Sequence, residues 1–188
     1  MPYAVPRLGK SRGRVLLFLF ILFCDNIERD ELGKGCKTVD SIRITTEHEL
    51  EKAFHIRKEV FIKEQNVPAD EEFDEFDVLD GPCEHLLVYY EEKPVGTGRL
   101  RVVDGYGKLE RICILEPYRK YGIGKLIVKG LEEIAAEKGV SKTKLHGQTQ
   151  AEGFYKKLGY RTASDTFMDA GIPHIVMVKE LPIRGMKS

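Results

Sequence analysis

A strand, a basic turn and a glycine-opened helix follow one another between Leu109 and Lys125, and this succession constrains the fold more than any other feature of the chain. The segment reads Leu109-Glu110-Arg111-Ile112-Cys113-Ile114-Leu115, then Glu116-Pro117-Tyr118-Arg119-Lys120-Tyr121, then Gly122-Ile123-Gly124-Lys125. Glycines at a helix entry let a ligand approach the backbone without a Cβ in the way. The first amide groups of the helix have no partner inside it and lie at the positive end of its dipole, so they favour an anion. Arg119, Lys120 and Lys125 add positive charge beside them. A diphosphate is the natural occupant. Two other phosphate motifs are excluded. A dinucleotide fingerprint requires a third glycine where Ile127 stands, and a P-loop requires Ser or Thr where Leu126 stands.

The rest of the chain is ordinary globular material. With 188 residues, 42% hydrophobic and 32% charged, it supports one domain with a sizeable core. Thirty basic side chains balance thirty acidic ones, which gives no broad attraction for nucleic acid or an anionic membrane. Cys24, Cys36, Cys83 and Cys113 are scattered without the paired spacing of a zinc site. No metal is expected, and the cysteines read as reduced thiols of a cytoplasmic protein.

At the N-terminus, Arg7, Lys10, Arg12 and Arg14 precede an apolar run from Val15 to Phe23. The order is that of a signal peptide, but Asp25-Asn26-Ile27-Glu28 offers no small-residue cleavage site. The run is also about half of the ~20 residues that a spanning helix requires. Residues 1–39 therefore read as a non-catalytic extension with a linker at Gly33 and Gly35, and 40–188 as the domain.

Within the domain, Ser41–Thr45 alternates as a short strand, and Thr46 with Glu49 forms a capping box. The helix that follows is expected to run until just before Pro68. Seven acidic residues between Asp70 and Asp80 read as a solvated lid. Strands are expected at 85–90, 95–103 and 108–115, then a helix over 122–138 with Gly139 as its cap. A strand at 143–146, a helix at 151–158 and two strands at 160–166 and 174–180 complete the order. The chain is thus α/β, with a mixed sheet flanked by helices.

Arg119-x-x-Gly122-x-Gly124 after Ile112-Cys113-Ile114 resembles the acetyl-CoA signature of the GNAT acetyltransferases. A second block, Gln148, Ala151, Phe154-Tyr155, Lys157-Leu158-Gly159-Tyr160, is similar to the last helix of that family. Val60-Phe61, Glu64-Gln65, Val67-Pro68 and Gly171-Ile172-Pro173-His174 resemble its small bacterial ElaA/YjcF-like branch. The resemblance implies a mostly antiparallel mixed sheet of six to seven strands with about four helices and a splayed cofactor cleft. It also implies an acyl-CoA-dependent N-acyltransferase that moves acetyl from acetyl-CoA to a small-molecule or peptide amine by direct attack.

Carried onto this chain, the resemblance makes Ile112, Cys113, Ile114, Arg119 to Lys125 (Arg119, Lys120, Tyr121, Gly122, Ile123, Gly124, Lys125) and Gln148 the cofactor-binding set. Backbone groups at Ile112 and Ile114 would pair with pantetheine, and an amide of that strand would polarise the thioester. Tyr155 would donate a hydrogen bond to the departing sulfur. The base is not named by the resemblance. Glu110 shares strand parity with Ile112 and Ile114 and is one candidate; His174, acting through a water, is another. Cys113 has the opposite parity and reads as core rather than nucleophile.

Arg57 with Val60-Phe61 and the acidic stretch also resembles the front of acyl-homoserine-lactone synthases, which makes Arg57, with His174, a candidate for substrate contact. An acyl-CoA-binding sensor without catalysis is the other alternative, and a homodimer is left open. Because every domain signal follows Asp40, deleting residues 1–39 is expected to leave folding and acetyl-CoA binding intact. Comparison of thermal melts for the truncated and full-length proteins checks this, and an insoluble truncation would move the boundary.

Overall fold

The computed structural model describes residues 37–182, so the apolar run at Val15–Phe23, Cys24, Cys36 and the linker glycines lie outside the described residues. A single sheet runs in the order β1-β2-β3-β4-β5-β8-β6, with the short β7 paired to β8. Its strands are β1 (Val39–Arg43), β2 (Cys83–Tyr90), β3 (Lys93–Val103), β4 (Tyr106–Ile114), β5 (Lys142–Gln148), β6 (Arg161–Thr162), β7 (Phe167–Asp169) and β8 (Ile172–Glu180). All neighbours are antiparallel except β4 and β5. Asp104-Gly105, with φ of 53° and 75°, makes the left-handed two-residue turn that matches strand twist between β3 and β4. The anticipated single strand at 160–166 is instead β6 and the separate β7, and β7 turns back into β8 through Ala170-Gly171.

Helices cover both faces. α3 (Ile123–Glu137) buries Ile123, Ile127, Val128, Leu131, Ile134 and Ala135 against Leu86, Val88, Leu100 and Leu109. On the other face α1 (Glu47–Arg57), closed by the predicted Thr46–Glu49 box, packs Leu50, Ala53 and Ile56 against Leu87 and Cys113. The helix does not continue regularly to Pro68. From Lys58 to Glu64 it widens to π geometry, with the Gln65 amide donating to Val60 O, five residues back. Such widenings occur often at functional sites; α2 (Ala69–Glu72) and α4 (Glu152–Lys157) are short.

The acidic stretch is a strap held to the sheet, not a solvated lid. Arg57, 1% exposed, places Nε 2.6 Å from Glu72 Oε1 and its two terminal nitrogens 2.6 and 2.9 Å from the Asp77 carboxylate. Arg99, also 1% exposed, holds Asp74 at 2.6 and 2.7 Å and Asp77 at 2.8 Å. Phe73 lies over the Arg57 guanidinium at 5.0 Å, and Phe76 lies 5.8 Å from that of Arg99 and 4.1 Å from that of Arg101. Phe73 and Phe76 thus exclude water while Glu72, Asp74 and Asp77 neutralise two buried arginines, and Asp70, Glu71, Glu75 and Asp80 stay exposed.

Asp77 joins both arginines, so Asp77→Ala is expected to cost about 3–5 kcal/mol by leaving two buried cations underpartnered. Denaturant unfolding of the variant measures this, and a loss below 1 kcal/mol would show the cluster to be slack. Acid should act through the same groups. Burial raises the pKa of Asp77, Asp74 and Glu110, but bonds and charge from the arginines outweigh it, holding all three low and Glu110 at about 2. A depressed carboxylate stabilises the fold above its ordinary pKa and loses that contribution as pH falls toward the folded value. Stability is therefore expected to decline steeply below about pH 4.5, as followed by melting temperature against pH.

Candidate functional site

The cleft opens where two parallel strands part. β4 and β5 pair only from Gly107 to Leu109 against Thr143 to Leu145, although β4 continues to Ile114 and β5 to Gln148. Beyond that point the β5-facing edge of β4 has no strand partner among the described residues. The gap is a cavity of about 240 Å³, walled by Lys108 to Ile112 of β4, by His146 and Gln148 of β5, and by Tyr155 and His174. Phe61 and Gln65, turned inward by the π-helical widening, close another side, and Asp169 of β7 stands at its rim.

A bulge in β4 decides which side chains face this gap. Thr97 opposes Cys113, but Arg99 opposes Glu110, so Arg111 and Ile112 together face Gly98. Arg111 takes a left-handed φ of 53° to accommodate the extra residue. Parity reverses across it. Leu109, Ile112 and Ile114 pack toward α3, whereas Cys113 packs toward α1. Glu110, with its ion partner Arg99, lies on the side opposite Ile112 and Ile114, which corrects the reading of shared parity.

Glu110 is also unsuited to the role of base. Arg101 contacts both of its oxygens at 2.7 Å, Lys108 reaches it at 2.7 Å and Arg99 at 3.1 Å. Burial alone would raise its pKa, but these partners hold it at about 2, too low to take a proton from an ammonium near neutral pH. Arg57 is likewise corrected: it is consumed by Glu72 and Asp77 beneath the sheet and has no face toward the cleft. The Cys113 side chain is sealed in the α1-side core, where burial pushes its thiol up, so only its backbone remains for a ligand.

The glycine turn lies at the far end of the free β4 edge. Glu116–Tyr121 is a 3-10 turn opened by Pro117, and Gly122 leaves it at φ 72°, the left-handed entry to α3. Gly124 permits close approach of α4: a Cβ there would stand 3.1 Å from Phe154 Cζ. Arg119 ties the turn together, its Nε donating to Ile114 O at 3.1 Å and its terminal nitrogen pairing with Glu64. The Ile123 side chain is wholly buried, so its amide is what it offers a ligand. Tyr121 stacks on Tyr90 at 4.6 Å, which pins the turn to β2. Lys120 and Lys125 are exposed.

Tyr155 reaches the cavity past Gly147, where a Cβ would sit 3.2 Å from its ring. Burial pushes its phenol up to about 12, so the hydroxyl keeps its proton. Gln148 bridges the cleft: its Nε2 donates to Gln65 Oε1 at 3.0 Å, and its Oε1 accepts from Gln150 at 2.8 Å. His174 Nδ1 lies 2.8 Å from Ile172 O. A carbonyl can only accept, so Nδ1 carries the hydrogen, and in the neutral ring the lone pair is on Nε2. Phe167 separates His174 from His146, at 6.1 and 5.2 Å between ring centres. Partial desolvation and then the Lys108 charge lower the His146 pKa. Gln65, Asp169 and Arg111 are cavity residues that no periodicity announces. Each arrives by an irregularity: the π widening, the β7 hairpin and the bulge. Among the described residues no helix is long and apolar enough to cross a membrane.

The family model for the acetyltransferase (GNAT) domain matches residues 44–181. The Bacillus subtilis (strain 168) protein YyaT is 63% identical over 139 residues, covering 74% of this chain and 94% of its own. The uncharacterized N-acetyltransferase YjcF of the same strain is 56% identical over 135 residues, covering 71% and 94%. The crystal structure of Escherichia coli ElaA shares the fold, with a TM-score of 0.67 at 23% identity over 76% of this chain and 100% of that one. Since the matched span runs through the parted strands, the glycine turn and the helix of Tyr155, the chain belongs to the GNAT acetyltransferase family and resembles its ElaA/YjcF-like branch.

Proposed function

We propose that the protein transfers acetyl from acetyl-CoA to an amine by direct attack in a ternary complex, in the cytoplasm and without a metal. The observation that carries this reading is the free edge of β4, which runs from the glycine turn into a cavity shared by Tyr155 and His174. The diphosphate would lie against the first amides of α3, with Lys120 and Lys125 beside it. The pantetheine arm would take the strand position that β5 leaves vacant. An amide of the parted strand would hold the oxyanion as the amine adds to the thioester carbonyl. His174 Nε2, directly or through a water, would take the proton from the attacking nitrogen. As the carbon–sulfur bond breaks, the Tyr155 hydroxyl would donate to the sulfur, releasing free CoA and the amide. Because a thiol gives up its proton more readily than this phenol, donation rather than full proton transfer is the role of Tyr155.

Acetyl-CoA at 100 times its dissociation constant is expected to stabilise the fold by ~2.7 kcal/mol. Gly122→Glu should abolish that stabilisation, both by straining a left-handed position and by setting a carboxylate among phosphates. Thermal melts with and without millimolar acetyl-CoA, supported by calorimetry, decide it; no shift and no heat for the unaltered protein would overturn the reading.

Tyr155→Phe is expected to reduce turnover about 10²-fold, since one lost donor to a developing anion costs ~2.7–4 kcal/mol. Affinity for acetyl-CoA should change far less, because the resting thioester carries no charge on sulfur. Thiol release under conditions where chemistry limits the rate tests this. Equal rates in the two proteins would remove Tyr155 from the mechanism.

A further inference from the structure

The ion network beneath the cleft does not balance. Arg57, Arg99, Arg101, Lys108 and Arg111 are linked to Glu72, Asp74, Asp77 and Glu110, five cations to four carboxylates. Four of the five cations are tightly held, each with a carboxylate oxygen at 2.6 or 2.7 Å. Arg111 is not. Its Nε stands 3.4 Å from Glu72 Oε2 without hydrogen-bond geometry, and that nitrogen is buried with no partner. Its Nη2 reaches Asp74 Oδ2 only at 3.4 Å and the Glu71 carbonyl at 3.3 Å. The guanidinium therefore has donors to spare, and charge-assisted bonds to a planar anion are the strongest use for them.

Arg111 also has the right placement. It is the extra residue of the β4 bulge, forms part of the cavity wall and keeps 27% of its side chain exposed. Bulges beside active sites commonly re-aim a side chain. Lys108 lines the same wall but is committed to Glu110 at 2.7 Å. At the rim, Asp169 supplies negative charge to the cavity that His174 also lines, and that charge acts on His146. The cavity thus presents an underpartnered cation on β4 and a carboxylate with histidines toward β7 and β8.

We propose that the acetyl acceptor is a small zwitterion, an amine bearing a carboxylate as in the α-amino acids, and that Arg111 binds the carboxylate. The amine would lie toward Asp169 and His174, where it is deprotonated. The identity of the acceptor rests on the acyl-transfer reading; the binding of the carboxylate by Arg111 does not.

The test is thiol release from acetyl-CoA with a panel of amino acids, each beside its own amide and its decarboxylated amine, with O-phosphoethanolamine as a phosphate-bearing comparison. At least one free amino acid should exceed its amide by about tenfold in kcat/KM, a difference carried mainly by KM. In Arg111→Met this preference should fall below about threefold, and Arg111→Lys should regain part of it. Amides or plain amines that match every amino acid would overturn the proposal, as would a phosphate-bearing amine that surpasses them all, or an unaltered preference in Arg111→Met. Should Arg111→Met fail to fold, the comparison within the unaltered protein decides alone. If no amine releases thiol, the transfer reading fails by itself. Calorimetric titration of the acetyl-CoA-loaded protein then settles the site: binding of an amino acid but not of its amide sustains it, and binding of neither overturns it.

Discussion

β4 must serve two neighbours whose demands differ. It pairs with β3 along nearly its whole length, but with β5 over three residues only, so half of one strand edge in the middle of the sheet is left open. An open edge normally invites another strand, and here the flanking elements keep it clear. The parallel pairing at Gly107–Leu109 anchors the two strands at one end, and Phe61 and Gln65 stand over the other. What remains is a slot with unpaired backbone groups on its wall, aligned with the first amides of α3.

The bulge at Arg111 makes this arrangement workable. Without it, Glu110 would share a face with Ile112 and Ile114 and turn its carboxylate away from Arg99. With it, Glu110 turns to the α1 side, where Arg99, Arg101 and Lys108 neutralise it. The cost of a non-glycine residue in the left-handed region is on the order of 1–3 kcal/mol. The buried network, which ties the strap at Asp74 and Asp77 to β3 and α1, offsets that strain by fixing the strand on both sides. A strap that looked like solvent-facing charge is thus part of what holds the cleft in shape.

Much of this was legible in the residues. The capping box at Thr46, the apolar stripe of α3, the Asp104-Gly105 turn and the glycine entry at Gly122 are local signals, each set by interactions within a few positions, and each forms as expected. Tyr155 and His174 both line the cavity. Glu110 and Arg57 were misassigned for one shared reason. Their surroundings are built from Arg99, Asp74 and Asp77, side chains brought close by strand pairing and by a strap that folds back over the sheet.

The sequence by itself determined the central strands, α1, α3 and the glycine turn, because those follow from periodicity, capping and glycine. Only the tertiary structure decided which carboxylates are spent on arginines, where the helix widens to aim Phe61 and Gln65, and which face of β4 meets the cleft. Strand parity is a rule of period two, and one inserted residue at Arg111 reverses everything that precedes it. Nothing in the run Glu110-Arg111-Ile112 announces that insertion. Opposite it stands Gly98, where a Cβ would come within 2.8 Å of Ile127, so that α3 lies close against the sheet where two residues of β4 face one of β3.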